Sequence, residues 1–205
     1  MAERTALLID WGGVMTTNLF ASFGAFCEAE GLEPRVLAES FRHDREARRL
    51  LIDFEEGRVE DDVFSARLAE KLGLAPERAE GMIGRMMAGA QLEPAMVDAV
   101  RTAREAGIRT ALVSNSWGTA WYPHDLLGEL FDGLVISGHE GMRKPAPAMY
   151  ALGAERAGVV PEQCVFVDDL AFNLDPAREL GMAVVHHTAP AATIAELREL
   201  LGLEL

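Results

Sequence analysis

Four short apolar runs punctuate the chain at residues 5–9, 109–113, 134–137 and 164–167, and a fifth follows at 183–187. Each is rich in β-branched residues, and helical patterns separate most of them. Such runs read as strands buried on both faces, the habit of a parallel sheet with helical crossovers. The accompanying helices are predicted over residues 93–106, 145–157, 173–180 and 192–201. Ala106-Gly107, Ala157-Gly158 and Leu180-Gly181 read as glycine stops at helix ends. The alternation predicts an α/β fold, a doubly wound parallel sheet with helices on both faces.

Residues 18–91 break the alternation. They hold no convincing strand and are predicted helical over 19–30, 34–51, 59–72 and 76–88, with turn chemistry at Glu56-Gly57-Arg58 and Gly73-Leu74-Ala75-Pro76. The economical reading is an insertion directly after the first strand. Residues 1–17 and 92–205 then form the α/β core, and 18–91 a helical cap. Open α/β sheets bind ligands beyond the carboxyl ends of their strands, the edge over which such an insertion hangs. The acidic residues crowding positions 53–62 read as a solvated turn. The arginines of 42–49 read as a solvated helix face, although one turned to the cleft would meet an anionic substrate.

Charge narrows the partners. The 205 residues carry 33 acidic and 19 basic side chains, a formal net charge of −14. Phosphate backbones and anionic membranes call for basic patches, so neither nucleic acid nor membrane is an expected partner. Cys27 and Cys164 lie in separate apolar runs and read as buried free thiols. The start, MAERTALLID, has no long apolar stretch behind a basic segment, and no window approaches the ~20 apolar residues of a membrane helix. A soluble, cytoplasmic protein is expected. Only two of the basic residues are lysines, Lys71 and Lys144.

The carboxyl ends of the strands supply Asp10 (in IDWGGVMT), Ser114-Asn115, Lys144 (in MRKPAP) and Asp168-Asp169, followed by LAFN. Each alone has an ordinary explanation as a cap, turn or solvated side chain. Together they gather carboxylates, a hydroxyl, an amide and an ammonium at one edge. Carboxylates so placed can hold Mg²⁺, which prefers a few carboxylates plus water and phosphate oxygens. An Asp beside the metal can attack phosphorus, while Ser114, Lys144 and backbone N–H groups hold the phosphoryl oxygens. Gly12 and Gly13 let the backbone approach the phosphate closely.

These residues resemble the haloacid dehalogenase-like hydrolase superfamily, over essentially the whole chain. Its four motifs match Asp10, Ser114, Lys144 in the setting Gly141-Met142-Arg143-Lys144-Pro145, and Asp168-Asp169. The stretch VFVDDLAFNLDPARELGM is similar to the branch containing the amino-terminal phosphatase domain of soluble epoxide hydrolases. The resemblance implies a Rossmann-like core with a small helical cap and a nucleophilic Asp10 that carries the phosphoryl group. It also implies Mg²⁺ on Asp10, Asp169 and the Gly12 carbonyl. Phosphate would be held by Gly12, Gly13, Ser114, Asn115 and Lys144, with Asp168 and Asn173 in support.

Two positions depart from the family pattern. The usual second Asp, the general acid and base, is Gly12 here, so a slow phosphatase or a relocated proton carrier is expected. Candidate substitutes are a cap residue such as His43 or Asp44, or a group of the substrate. Asn173 stands where many members carry a further Asp, and organises the site without adding charge.

The leading reading is therefore a Mg²⁺-dependent phosphatase of a small phosphorylated metabolite. A 2-haloacid dehalogenase is the first alternative, since those relatives also lack the second Asp. The Asp168-Asp169 pair opposes it by repelling a haloacid carboxylate. The second alternative is a degenerate member that binds a ligand without turnover. Trp117, Trp121 and Tyr122 read as packing residues or as lining for a substrate entrance. His186 and His187 point to opposite faces of the last strand and make no metal pair. A monomer and a homodimer are both compatible with the sequence.

Overall fold

The computed structural model describes residues 3–119 and 121–204. Strand β1 (Ala6–Ile9) leads through helices α1 (Leu19–Ala29), α2 (Val36–His43), α3 (Arg45–Glu55), α4 (Asp61–Lys71), α5 (Met82–Met87) and α6 (Pro94–Glu105) to β2 (Arg109–Ser114). Helix α7 (His124–Leu130), β3 (Gly133–Ile136), α8 (Ser137–Glu140) and α9 (Pro147–Ala157) follow. The chain ends with β4 (Cys164–Asp168), α10 (Ala171–Glu179), β5 (Ala183–His186) and α11 (Pro190–Leu201).

The five strands form one parallel sheet in the order β3-β2-β1-β4-β5. Successive residues of β1 serve opposite faces, as the two-residue period of a strand requires. Leu7 and Ile9 join an apolar layer with Val100, Leu112, Leu130, Val167 and Leu197. Ala6 and Leu8 join the opposite layer with Val113, Met149, Tyr150 and Phe166. Helices α6, α7 and α11 cover the first face, and α9 and α10 the second. The doubly wound reading of the sequence holds. The chain steps outward from β1 to β3 and then returns to the far side of β1 as β4. The crevice of a doubly wound sheet opens at such a reversal, here between the carboxyl ends of β1 and β4.

Helices α1–α5 pack around an apolar cluster of their own that includes Phe23, Leu37, Phe54, Phe64, Leu68 and Met86. Trp117, just after β2, lies among Phe23, Phe41, Phe54 and Phe64 and ties this helical module to the sheet. The two connecting segments are stitched by a Thr16–Leu92 bridge and by Thr17 N–H donating to the Gln91 carbonyl at 2.8 Å.

Five local expectations are corrected. The helix expected over 34–51 is two helices, because Asp44 adopts an extended conformation and its carboxylate accepts from Glu46 N and Ala47 N, capping α3. The helix expected over 76–88 is a 3₁₀ turn at Pro76–Ala79 followed by α5. Ser137 opens α8 instead of ending β3, and α7 falls in a stretch given no element by sequence pattern. The 53–62 segment is not solvated throughout, since Glu55 is buried.

Candidate active site

Asp10 follows β1 and Asp168 closes β4, so the sheet brings their carboxylates to adjacent positions at the crevice. Lys144, from the segment between α8 and α9, inserts between them. Its Nζ lies 2.8 Å from Asp10 Oδ1 and 2.6 Å from Asp168 Oδ2, and the residue is completely buried. Asn115 holds the lysine backbone from both sides, accepting from Lys144 N at 2.8 Å and donating to Lys144 O at 3.1 Å. The second Asn115 amide hydrogen has no partner among the described residues. Ser114 Oγ, at the end of β2, is 2.9 Å from the hydroxyl of buried Tyr122.

Asp168 is fully engaged. Besides Lys144, it accepts from Leu170 N at 2.8 Å, and Asn173 Nδ2 donates to both its oxygens at 3.0 and 3.1 Å. Those two acceptors fix the orientation of the Asn173 amide. The Asn173 Oδ1 is left buried with no hydrogen-bond partner among the described residues. Asp169, by contrast, has no ion-pair partner among the described residues. It sits against the Gly13 backbone: a Cβ at Gly13 would lie 2.4 Å from Asp169 Oδ2, and the residue holds φ 80°. Only glycine satisfies both conditions.

The electrostatics are those of an underneutralised cluster. Asp10, Asp168 and Asp169 offer oxygens that all lie within 4.8 Å of one another, against one ammonium. Burial pushes the Asp10 carboxyl up to about 7 against the pull of Lys144, and the charges of Asp168 and Asp169 add to the rise. Burial and the Asp168 charge push Asp169 up to about 6. A bound cation reverses this logic by favouring the ionised carboxylates. The hard oxygen donors, the orphaned Asn173 oxygen and the surplus negative charge fit a Mg²⁺-type ion.

Position 12 has its own occupant. A Cβ at Gly12 would fall 2.5 Å from Leu19 Cδ1, so an apolar side chain fills the space beside Gly12. The structure does not bring His43 or Asp44 to the cleft. Both are exposed and absent from the cleft lining, and Asp44 pairs with Lys71. The helical-module carboxyl that does line the cleft is Glu55, at the end of α3. Burial pushes Glu55 up to about 7 against the pull of Arg143, whose Nε lies 2.5 Å from Glu55 Oε2 without hydrogen-bond geometry. The Glu55 carbonyl accepts from Ser137 Oγ, which anchors the end of α3 to the start of α8, just beyond β3.

A family model for haloacid dehalogenase-like hydrolases matches residues 5–181. The chain belongs to the haloacid dehalogenase-like hydrolase family. Hexitol phosphatase A of Escherichia coli is 28% identical over 192 residues, covering 91% of this chain and 84% of that protein. Bifunctional epoxide hydrolase 2 of Rattus norvegicus is 28% identical over 130 residues. That match takes in 60% of this chain, which spans only 24% of the longer protein. In fold, the chain resembles a Bacteroides thetaiotaomicron enzyme of the family, with TM-score 0.72, 21% identity, and coverage of 92% and 95% of the two chains. That enzyme has also been solved with magnesium and inorganic phosphate.

In this haloacid dehalogenase-like hydrolase, Asp10, Gly12, Asn115, Lys144, Asp169 and Asn173 line one cleft, with Ser114 at its side and Gly13 and Asp168 beneath. Sequence reasoning missed Tyr122 as the partner of Ser114, and it missed Glu55 and Arg143. Arg143 was in view as the neighbour of Lys144, but nothing in its spacing announced a pair with Glu55. Trp117 joins the module's core and Trp121 is exposed. His186 Nε2 contacts the Asp169 carbonyl at 3.0 Å while His187 turns to Thr193 at 2.9 Å, on opposite sides as expected. Cys27 and Cys164 are buried free thiols. Among the described residues no helix is long and apolar enough to cross a membrane.

Proposed function

We propose that the chain is a Mg²⁺-dependent phosphomonoesterase for a small phosphorylated metabolite, working through an aspartyl-phosphate on Asp10. The observation that carries this reading is Lys144 held between Asp10 and Asp168 with Asp169 unpaired beside them. Hexitol phosphatase A, matched along most of both chains, supports the reaction class.

Asp10, Asp169 and the Gly12 carbonyl are the residues that would hold Mg²⁺. The ion, when bound, supplies positive charge that screens carboxylates from phosphate. An Asp10 carboxylate oxygen forms the bond to phosphorus as the ester P–O bond breaks, and the alkoxide leaves. Water then attacks phosphorus, the acyl-phosphate P–O bond breaks, and inorganic phosphate and Asp10 are restored. Lys144, Ser114 and the free Asn115 amide hydrogen hold phosphoryl oxygens through both steps. Gly12 offers no proton to the leaving alkoxide, so turnover is slow, and fastest for esters whose leaving group needs no protonation. Helices α1–α5 act as the cap that closes over the substrate.

The test is phosphate release from aryl, alkyl and sugar phosphates with and without Mg²⁺, beside halide release from 2-haloacids. Metal-dependent phosphate release that disappears in Asp10→Asn is expected. Halide release without phosphate release would replace this reading with a dehalogenase. Silence in both assays with metal still bound would leave a binding protein.

A further inference from the structure

Above the carboxylates the cleft changes character. It encloses about 480 Å³, within the ~300–1,000 Å³ of sites that enclose small organic ligands. Its walls carry Leu19, Phe20 and Phe23 from α1, Phe41 from α2, Trp117 after β2, and Phe172 from α10. Phe20 is 53% exposed and Phe172 55% exposed. A single exposed phenylalanine is ordinary, but two on the walls of one cleft form the kind of apolar patch that marks a binding surface.

The polar side chains of this cleft are nearly all engaged elsewhere. Asp10, Asn115, Lys144, Asp169 and Asn173 belong to its floor, and Glu55 and Arg143 face one another. Among the described lining residues, only the Arg42 guanidinium on the walls has no hydrogen bond or ion pair. A sugar or polyol lodged here would surrender water from several hydroxyls and find one cation in return. Each buried hydroxyl left unpaired weakens binding roughly 5- to 150-fold. A hydrocarbon gains instead, by about fourfold for each methylene taken out of water.

We propose that the cleft takes the hydrocarbon part of an apolar phosphomonoester, an alkyl or aryl phosphate, laid between Phe20 and Phe172. Leu19, which packs beside Gly12, lies where the apolar wall meets the floor of the cleft. The placing of the phosphoryl group at Asp10 rests on the phosphatase reading above; the apolar occupant rests on the walls alone.

Two measurements separate the two ideas. The first is kcat/KM with Mg²⁺ for n-alkyl monophosphates from ethyl to octyl, beside glucose 6-phosphate and glycerol phosphate. The second is calorimetric binding of the matching n-alkyl phosphonates, which needs no turnover. The expected result is a gain of about fourfold per methylene in both series until the cleft is full, with the sugar phosphate far below octyl phosphate. Phosphate release with a flat response to chain length in both series overturns the apolar occupant and leaves the phosphatase standing. No release from any ester, with phosphonate binding that strengthens along the chain, removes the phosphatase reading and upholds the apolar cleft. Phe20→Ser and Phe172→Ser, at exposed positions where folding is not at stake, are each expected to reduce the gain per methylene. An unchanged gain in both variants overturns the proposal.

Discussion

A Cβ placed on Gly12 would stand 2.5 Å from Leu19 Cδ1. The helical module thus puts hydrocarbon where the family resemblance expects an acid. Gly12→Asp alone requires the tip of the half-buried Leu19 side chain to swing aside and adds a carboxylate to an acidic cluster, so a lower denaturation midpoint than the wild type is expected in the absence of metal. Gly12→Asp combined with Leu19→Ala restores the room. The double variant is expected to hydrolyse alkyl phosphates ~10²-fold faster or more, with a smaller gain for p-nitrophenyl phosphate, whose leaving group needs no proton. Equal gains for both esters would show that the new carboxylate does not act as an acid.

Lys144 is the sole described cation between two buried carboxylates, 2.6 Å from Asp168 and 2.8 Å from Asp10. Lys144→Ala strands Asp168, which is completely buried. Removing one partner of a buried pair typically costs ~3–5 kcal/mol, and a loss of that size is expected in urea denaturation, together with loss of turnover. Lys144→Ala paired with Asp168→Asn removes one of the two stranded charges, leaving Asp10, and is expected to recover part of the stability without recovering activity. Additive losses in the pair would contradict the shared-ammonium arrangement.

Much of this arrangement is legible in the amino-acid sequence. The β-branched runs fixed the strands, and the residues at their carboxyl ends are the ones that meet at the crevice. A parallel sheet converts strand ends that are distant in sequence into neighbours, so Asp10 and Asp168 announce themselves. The unread features have a different physical origin. Glu55 sits in an acidic stretch whose composition argues for solvent, and only the docking of α3 against Ser137 and Arg143 buries it. Leu19 is simply the first residue of the helix predicted over 19–30, and its position over Gly12 depends on how the module folds back. Tertiary packing between elements carries no local periodicity, so it left no trace in the pattern.

Metal removal bears on the fit of the acidic cluster without relying on turnover. An ion that binds only the folded chain stabilises it by ~2.7 kcal/mol at a hundred times its dissociation constant. Mg²⁺ is expected to raise the denaturation midpoint of the wild type, with EDTA reversing the gain. Asp169→Asn removes the carboxylate that has no ion pair and is expected to abolish most of the shift. A full Mg²⁺ shift in that variant would place the ion elsewhere.

Glu55 sets a pH dependence whose sign can be worked out. Burial raises its carboxyl from the ordinary 4.5 to about 7. Between those values the folded chain keeps the proton and the unfolded chain has lost it. The folded state therefore binds more protons, and stability falls as pH rises through this window. Glu55 contributes fully below about pH 4.5, and the contribution is gone above about pH 7. A displacement of this size corresponds to ~3 kcal/mol as an order of magnitude. Glu55→Gln keeps the shape and removes the titration. With Mg²⁺ saturating, urea denaturation of the wild type is expected to lose more stability from pH 5 to pH 8 than the variant does. Parallel curves for the two proteins would mean that Arg143 holds Glu55 ionised throughout, and that burial does not dominate at this position.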